Sequence, residues 1–193
     1  MKLEQLGNYV NITTGQIMSR IVEKDGEGVG TWKVLIPKAI TSDGFISLED
    51  MAEETLKAEP PEDRVTKVGD IVIKLSTPFD SALVTEETAG CLVPSFCAII
   101  RNSGELDLGY LRAFLASKYC KDQLKGKVAG AVMSILSIGK IRTIEVPVVS
   151  MEEQKAIGNR YLGVQEKIVI MNQIITLERK RNDVVFQEMV NNG

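Results

Sequence analysis

The last forty residues constrain this chain more than any other stretch. No proline occurs from Met151 onward, and apolar residues recur at Ile157, Tyr161, Val164, Ile168, Met171 and Ile175. The steps alternate four and three, the seam of a heptad coiled coil. The seam turns polar at Glu178 and Asn182, then resumes at Val185 and Met189; a second stripe, Ile170, Ile174, Leu177 and Val184, widens the apolar face. Ser150 with Glu153 three residues later forms a capping-box pattern, and Glu152 and Glu153 suit the positive end of the helix dipole. A helix over 151–189 would run roughly 58 Å, whereas a domain of about 150 residues has a radius of gyration near 15 Å. The helix must overhang its own domain, and an apolar stripe left in water calls for a cover. No other part of the chain is long enough, so the sequence asks for a helix from another chain. The alternative is a break at Gly158–Gly163 that folds the helix back, because kinks at glycine are common.

Residues 1–149 have a different texture, short apolar runs broken by Gly, Pro, Asp and Asn, and are read as one domain beside a spacer helix over 150–193. Thr31-Trp32-Lys33-Val34-Leu35-Ile36 reads as a strand stopped by Pro37. Val68-Gly69-Asp70 reads as a turn into the strand Ile71-Val72-Ile73-Lys74-Leu75. Ser81-Ala82-Leu83-Val84, Phe96-Cys97-Ala98-Ile99-Ile100 and Arg142-Thr143-Ile144-Glu145-Val146 are further strands, the last closed by Pro147. One helix is expected from Ser47, with Asp50 as a near capping box. Another is expected from Asp107, with Leu108, Leu111, Leu115 and Tyr119 on one stripe. Strands mixed with helices in this way predict an α+β (mixed α/β) domain.

Composition removes whole classes of chemistry. The chain of 193 residues has no histidine, so imidazole bases and ligands are excluded. Its three cysteines, Cys91, Cys97 and Cys120, fit no zinc spacing. An odd count without a secretion signal reads as reduced thiols and a cytoplasmic setting. No apolar run reaches the roughly 18–20 residues of a membrane span. Gly26, Gly28 and Gly30 lack the spacing of a dinucleotide loop and read as a flexible loop. Glu178-Arg179-Lys180 has a nuclease-like spacing but lies on the coiled-coil helix, where a solvated charged stretch is the simpler reading. Without histidine or an S-x-x-K pattern, no base activates a serine. The chain reads as a binder with no catalytic residues, metal or cofactor.

Charge is segregated. Residues 112–142 hold seven basic side chains and one acid, whereas 43–63 hold eight acids and one lysine, in a chain of net charge -3. Such segregation fits one face for an anion and another turned away from it. Arg20, Lys24, Lys33 and Lys38 form a second basic group near Gln16, Ser19 and Trp32. Arg, Lys and Gln can read base edges, and Lys and Ser also hold phosphates. Ordinary solvated surface is the competing reading, given the acidic total.

Three segments in order carry a family resemblance: residues 130–137 (GAVMSILS), Ile144-Glu145-Val146-Pro147, and Met151-Glu152-Glu153-Gln154-Lys155-Ala156-Ile157. This succession resembles the target-recognition domains of DNA-specificity (S) subunits of type I restriction–modification systems. Leu6-Gly7 with Gly15, Val68-Gly69-Asp70-Ile71-Val72-Ile73, and Leu108-Gly109-Tyr110-Leu111 through Leu115-Ala116-Ser117 agree with the same order. The resemblance implies a full subunit of two recognition domains, each followed by a helix, the two helices pairing antiparallel. This chain has one of each and reads as a half-subunit. A homodimer clasped along Ile157, Tyr161, Val164, Ile168, Met171 and Ile175 would supply the missing half and match a split, inverted-repeat site in double-stranded DNA. In the family, methylation and restriction subunits supply the S-adenosylmethionine and ATP chemistry, so they are expected partners. Gln16, Ser19, Arg20, Lys24 and Lys33 are the candidates for bases and nearby backbone. Lys74, Lys118, Lys125, Lys127 and Lys140 are the candidates for phosphate. The alternatives are a coiled-coil adaptor that binds only protein, or an inactive recognition-domain relic.

Overall fold

A computed structural model describes residues 1–24, 26, 28–130 and 135–191. Its centre is an antiparallel sheet of β2 (Val10–Thr14), β5 (Ile71–Lys74), β6 (Ser81–Leu83) and β7 (Cys97–Asn102), in the order β2-β7-β5-β6. The inner strands are apolar at successive positions because both faces of the sheet are covered. Side chains alternate between two cores, as the two-residue period requires. Ile71, Ile73, Ala98 and Ile100 join Leu111 and Leu115 on one face. Val72, Ala82, Cys97 and Ile99 join Leu35, Ile40 and Val93 on the other. β1 (Lys2–Gln5) pairs with β8 (Glu145–Val148), and β3 (Gly30–Val34) pairs with β4 (Ala52–Leu56). A third small core of Ile21, Val34, Leu56 and Leu92 lies under β3 and β4. The α+β reading therefore holds.

Three short helices cover one face of the sheet: α1 (Leu108–Ala116), α2 (Lys118–Val128) and α3 (Ile138–Arg142). Asp107 caps α1, its carboxylate accepting from the Tyr110 amide at 2.9 Å. The stripe expected to continue to Tyr119 stops at Ser117, whose backbone is extended and whose hydroxyl caps α2. Tyr119 is consequently exposed. No helix starts at Ser47. Asp50 forms a turn with Ser47 and an ion pair with Lys38, and the chain enters β4 instead. Pairing with β3 and burial of Leu56 override the helix propensity of Ala52-Glu53-Glu54. The last strand begins at Glu145 and runs through Pro147, because Arg142 ends α3.

The long helix α4 spans Met151–Asn191 without a break. Its capping box is present: the Glu153 amide donates to Ser150 Oγ at 3.3 Å, and the Ser150 amide donates to Glu153 Oε2 at 3.1 Å. The fold-back alternative fails because Gly158 serves packing. Its backbone lies against Gly109 of α1, where a Cβ on Gly158 would sit 2.7 Å from the Tyr110 amide nitrogen. Gln154 is buried at the same crossing, its Oε1 accepting from the Asp107 amide at 2.9 Å. The β-rich domain shields α4 only as far as Val169; every described residue from Ile170 on is exposed. The bare length is roughly 33 Å.

Candidate nucleic-acid interface

The first basic group gathers around a corner at Gly15. The Gly15 amide donates to the Cys97 carbonyl, the Gln16 amide donates to that of Val93, and the Ser95 amide donates to that of Gln16. A Cβ at Gly15 would lie 2.1 Å from the Pro94 carbonyl oxygen, so only glycine fits there. Arg64 braces the corner by donating to the carbonyls of Thr14 and Gly15. On the other side of the same segment, the Leu92 amide donates to the Lys33 carbonyl at 2.9 Å. The stretch from Leu92 to Ser95 thus brings Gln16 and Lys33 beside one another's strands, although seventeen residues separate them in sequence. Ser19 and Arg20 follow in an exposed 3-10 turn, Met18–Arg20. Lys24 is exposed just beyond the bridge between Val22 and Leu56. Lys33 is exposed on β3, in register with Glu53.

Phe96 belongs with this corner. The strand expected to start at Phe96 starts at Cys97, and Phe96 stands in the preceding turn, 61% exposed. An exposed aromatic beside Gln16 offers a surface for stacking. Its sequence signal was the Pro94-Ser95 pair, which favours a turn over a strand there.

The second basic group lies on α2 and α3, and much of its charge is internally matched. Lys74 and Lys121 converge on buried Asp80, at 3.2 and 2.9 Å. Lys118 pairs with Asp122 one turn along α2. Lys140 donates to the Lys127 carbonyl at 2.6 Å, closing the C-terminal end of α2. Arg112, counted above in the basic segment, is 2% exposed. It donates to the Gly44 carbonyl and to Ser81 Oγ and lies 5.5 Å from the Tyr161 ring centre. Burial lowers its pKa from the ordinary guanidinium value. It is a strut between α1, the loop at Gly44 and α4, and adds nothing to the surface charge. Among the described residues, Arg20, Lys33, Lys125, Lys127 and Arg142 have no carboxylate partner. These cations are the ones available to an anion.

Along α4, Ile157, Val164, Met171 and Ile175 are exposed, whereas Ile168 and Tyr161 are half-buried, Tyr161 against Arg112. The three thiols are buried, and burial pushes those of Cys97 and Cys120 up to about 12. Among the described residues, no group of three or more His, Cys, Asp or Glu side chains is placed to hold a metal ion. No described helix is long and apolar enough to cross a membrane.

Solved structures share this architecture. The HsdS subunit from Thermoanaerobacter tengcongensis superposes with a TM-score of 0.66 at 18% identity, over 95% of this chain and 47% of that one. The chain has the fold of a type I S subunit. A chain of a type I R-M system, from a structure of its complex assembly and conformational transition, gives a TM-score of 0.68 at 18% identity, over 98% and 48%. The S subunit from M. genitalium gives 0.59 at 13% identity, over 93% and 42%. The chain spans about half the length of the structures it matches. No family model and no curated protein matches it in sequence. Of the sequence segments that resemble the S subunits, residues 131–134 lie outside the described residues. The join from Val146-Pro147 to the Ser150 cap and Gln154 is the junction of β8 with α4.

Proposed function

We propose that this chain is a DNA-specificity subunit of a type I restriction–modification system. In this reading residues 1–149 recognise one half of a bipartite, inverted-repeat site in double-stranded DNA. Residues 150–193 pair with the same helix of a second copy, and the assembly docks methylation and restriction subunits while binding no cofactor itself. The S-subunit fold over nearly the whole chain carries the reading. The bare apolar length of α4 supports the pairing, since a stripe of this size in water is a binding surface by default. Gln16, Ser19, Arg20, Lys24 and Lys33, with Phe96, contact bases and adjoining backbone; Lys125, Lys127 and Arg142 contact phosphate. Lys74, Lys118 and Lys140 are drawn off by Asp80, Asp122 and the Lys127 carbonyl, and contribute less.

Gel mobility with random duplex DNA tests the binding. Five phosphate contacts per copy, from Arg20, Lys33, Lys125, Lys127 and Arg142, predict a log–log salt slope of about -4.5, roughly a 500-fold loss between about 50 and about 200 mM salt. No shift at low salt, even with the methylation subunit present, would leave the adaptor reading. Light scattering tests the pairing: the parent should be a dimer, and Ile168→Lys with Ile175→Lys a folded monomer.

A further inference from the structure

Where α1 crosses α4, Ala113, Ile157, Arg160, Tyr161 and Val164 line an open groove of about 320 Å³. The far end of α4 carries the opposite problem: Val185 and Met189 are 48% and 71% exposed on a rod with no domain beside it. Both lie on the same four–three seam as the groove residues. Tyr161, Ile168, Ile175, Asn182 and Met189 hold one heptad position; Ile157, Val164, Met171, Glu178 and Val185 hold the other.

The direction of pairing follows from Glu178. In a parallel pair each seam residue faces its own copy, which sets Glu178 against Glu178 in a desolvated seam. In an antiparallel pair the two heptad positions face each other, and like charges separate. The register follows from coverage. When facing residue numbers sum to 346, the layers are Ile175 with Met171, Ile168 with Glu178, Val164 with Asn182, Tyr161 with Val185, and Ile157 with Met189. Glu178, held by its own Arg181 at 3.9 Å, then comes beside Lys167 of the second copy, and Arg160 comes beside Glu188. A slip of one heptad in one direction uncovers Ile157 and Tyr161; a slip in the other uncovers Val185 and Met189. Only the first register closes the whole seam. Its exposed apolar side chains amount to roughly 500 Å² per copy, or about 1,000 Å² in the pair, the lower bound of a specific interface.

We propose that the α1–α4 groove receives the tip of a second copy's α4, Val185 lying over Tyr161 and Met189 over Ile157, in an antiparallel pair with its two-fold axis at Gln173. This assignment rests on the homodimer proposed above and fixes its register. The tip of each rod is thereby held against the α1 helix of the other copy, so the pair is clasped at both ends as well as along its middle.

Cross-linking with a short bis-maleimide reads the register directly. The three native thiols are buried and their pKa values raised, so their background is small. Ile157→Cys with Met189→Cys in one chain should shift most of the protein to twice the monomer mass, as should an equal mixture of the two single variants. Neither single variant alone should cross-link. The two sites are about 48 Å apart along one helix, so the product cannot form within a copy. A covalent dimer from either single variant would establish a parallel pair. A stronger product from Val164→Cys with Met189→Cys would establish the one-heptad slip. Either result overturns the proposal. If light scattering reports a dimer and the 157–189 product is absent, the groove assignment falls and the homodimer stands; a monomer removes both.

Discussion

Gly158→Ala and Gly163→Ala are the same change, five residues apart on one helix, and they should move stability in opposite directions. Alanine in place of glycine inside a helix is worth up to about 1 kcal/mol from propensity alone. At Gly163 nothing lies within 4 Å of the added methyl, so that gain should appear in full. At Gly158 the methyl would sit 2.6 Å from Asp107 Oδ1, 2.7 Å from the Tyr110 nitrogen and 2.8 Å from the Gly109 carbonyl carbon. Two of these are backbone atoms of α1 and cannot rotate away. Relief requires α4 to move off α1, at about 1–3 kcal/mol for overpacking. It also disturbs the Asp107 cap, about another 1 kcal/mol. After the propensity gain, a loss of about 1–3 kcal/mol remains. For a chain of this size each kcal/mol moves Tm by about 2–4 °C. Melting followed by far-UV circular dichroism should therefore place Gly163→Ala a few degrees above the parent and Gly158→Ala several degrees below it. Equal gains from both would mean that α4 does not dock at Gly109, and the account of the crossing would be wrong.

Asp80→Asn should cost about 2–3 kcal/mol in urea unfolding, because it leaves the Lys74 and Lys121 ammoniums beside a neutral amide in a buried setting; an unchanged midpoint would show that the triad contributes nothing. Cys97 and Cys120 stay protonated well above neutral pH because burial holds their thiols near 12, so a thiol reagent at mildly alkaline pH should label them only after denaturant is added. Rapid labelling of the native protein would contradict their burial. Lys125→Ala with Lys127→Ala should reduce the salt slope of DNA binding by about 2 and leave melting nearly unchanged; a slope equal to the parent's would remove α2 from the phosphate contacts.

Much of the frame was legible because it rests on local patterns. The capping box at Ser150, the four–three seam and the apolar runs of β5 and β7 each signal structure within a dozen residues. The misreadings share one cause, which is that distant partners decide. Ser47 and Asp50 look like a helix start until Lys38 takes the carboxylate and β3 recruits Ala52–Leu56 into a strand. β1 is polar along its length and becomes a strand only through β8. Arg112 reads as surface charge by its neighbours in sequence, yet the Gly44 carbonyl and Tyr161, 68 and 49 residues away, bury it. The same holds for the candidate interface. Gln16 and Lys33 were grouped by proximity in sequence, but what aligns them is the segment from Leu92 to Ser95, which no local pattern announces.

The strength of the α1–α4 crossing bears on how such a molecule could measure DNA. In the pairing proposed above, the two Gly158 anchors lie thirty residues apart along the paired rods, about 45 Å, longer than one turn of B-DNA at about 34 Å. Each domain then sits on a lever of about 22 Å from the two-fold axis to its anchor. A rocking of about 10° at that anchor would displace the domain by about 4 Å, more than the 3.4 Å step between base pairs. Fixed half-site separation therefore demands a stiff joint. The joint is built from three contacts of different kinds: glycine backbones in van der Waals contact, the Gln154 carboxamide on the Asp107 amide, and the Arg112 guanidinium on the Tyr161 ring. Gly158→Ala should loosen the first and leave every basic side chain in place. Its DNA binding should keep the parent's salt slope, while the half-site separations it selects from a random duplex pool become broader. A selected pool as narrow as the parent's would show that the crossing plays no part in setting the distance.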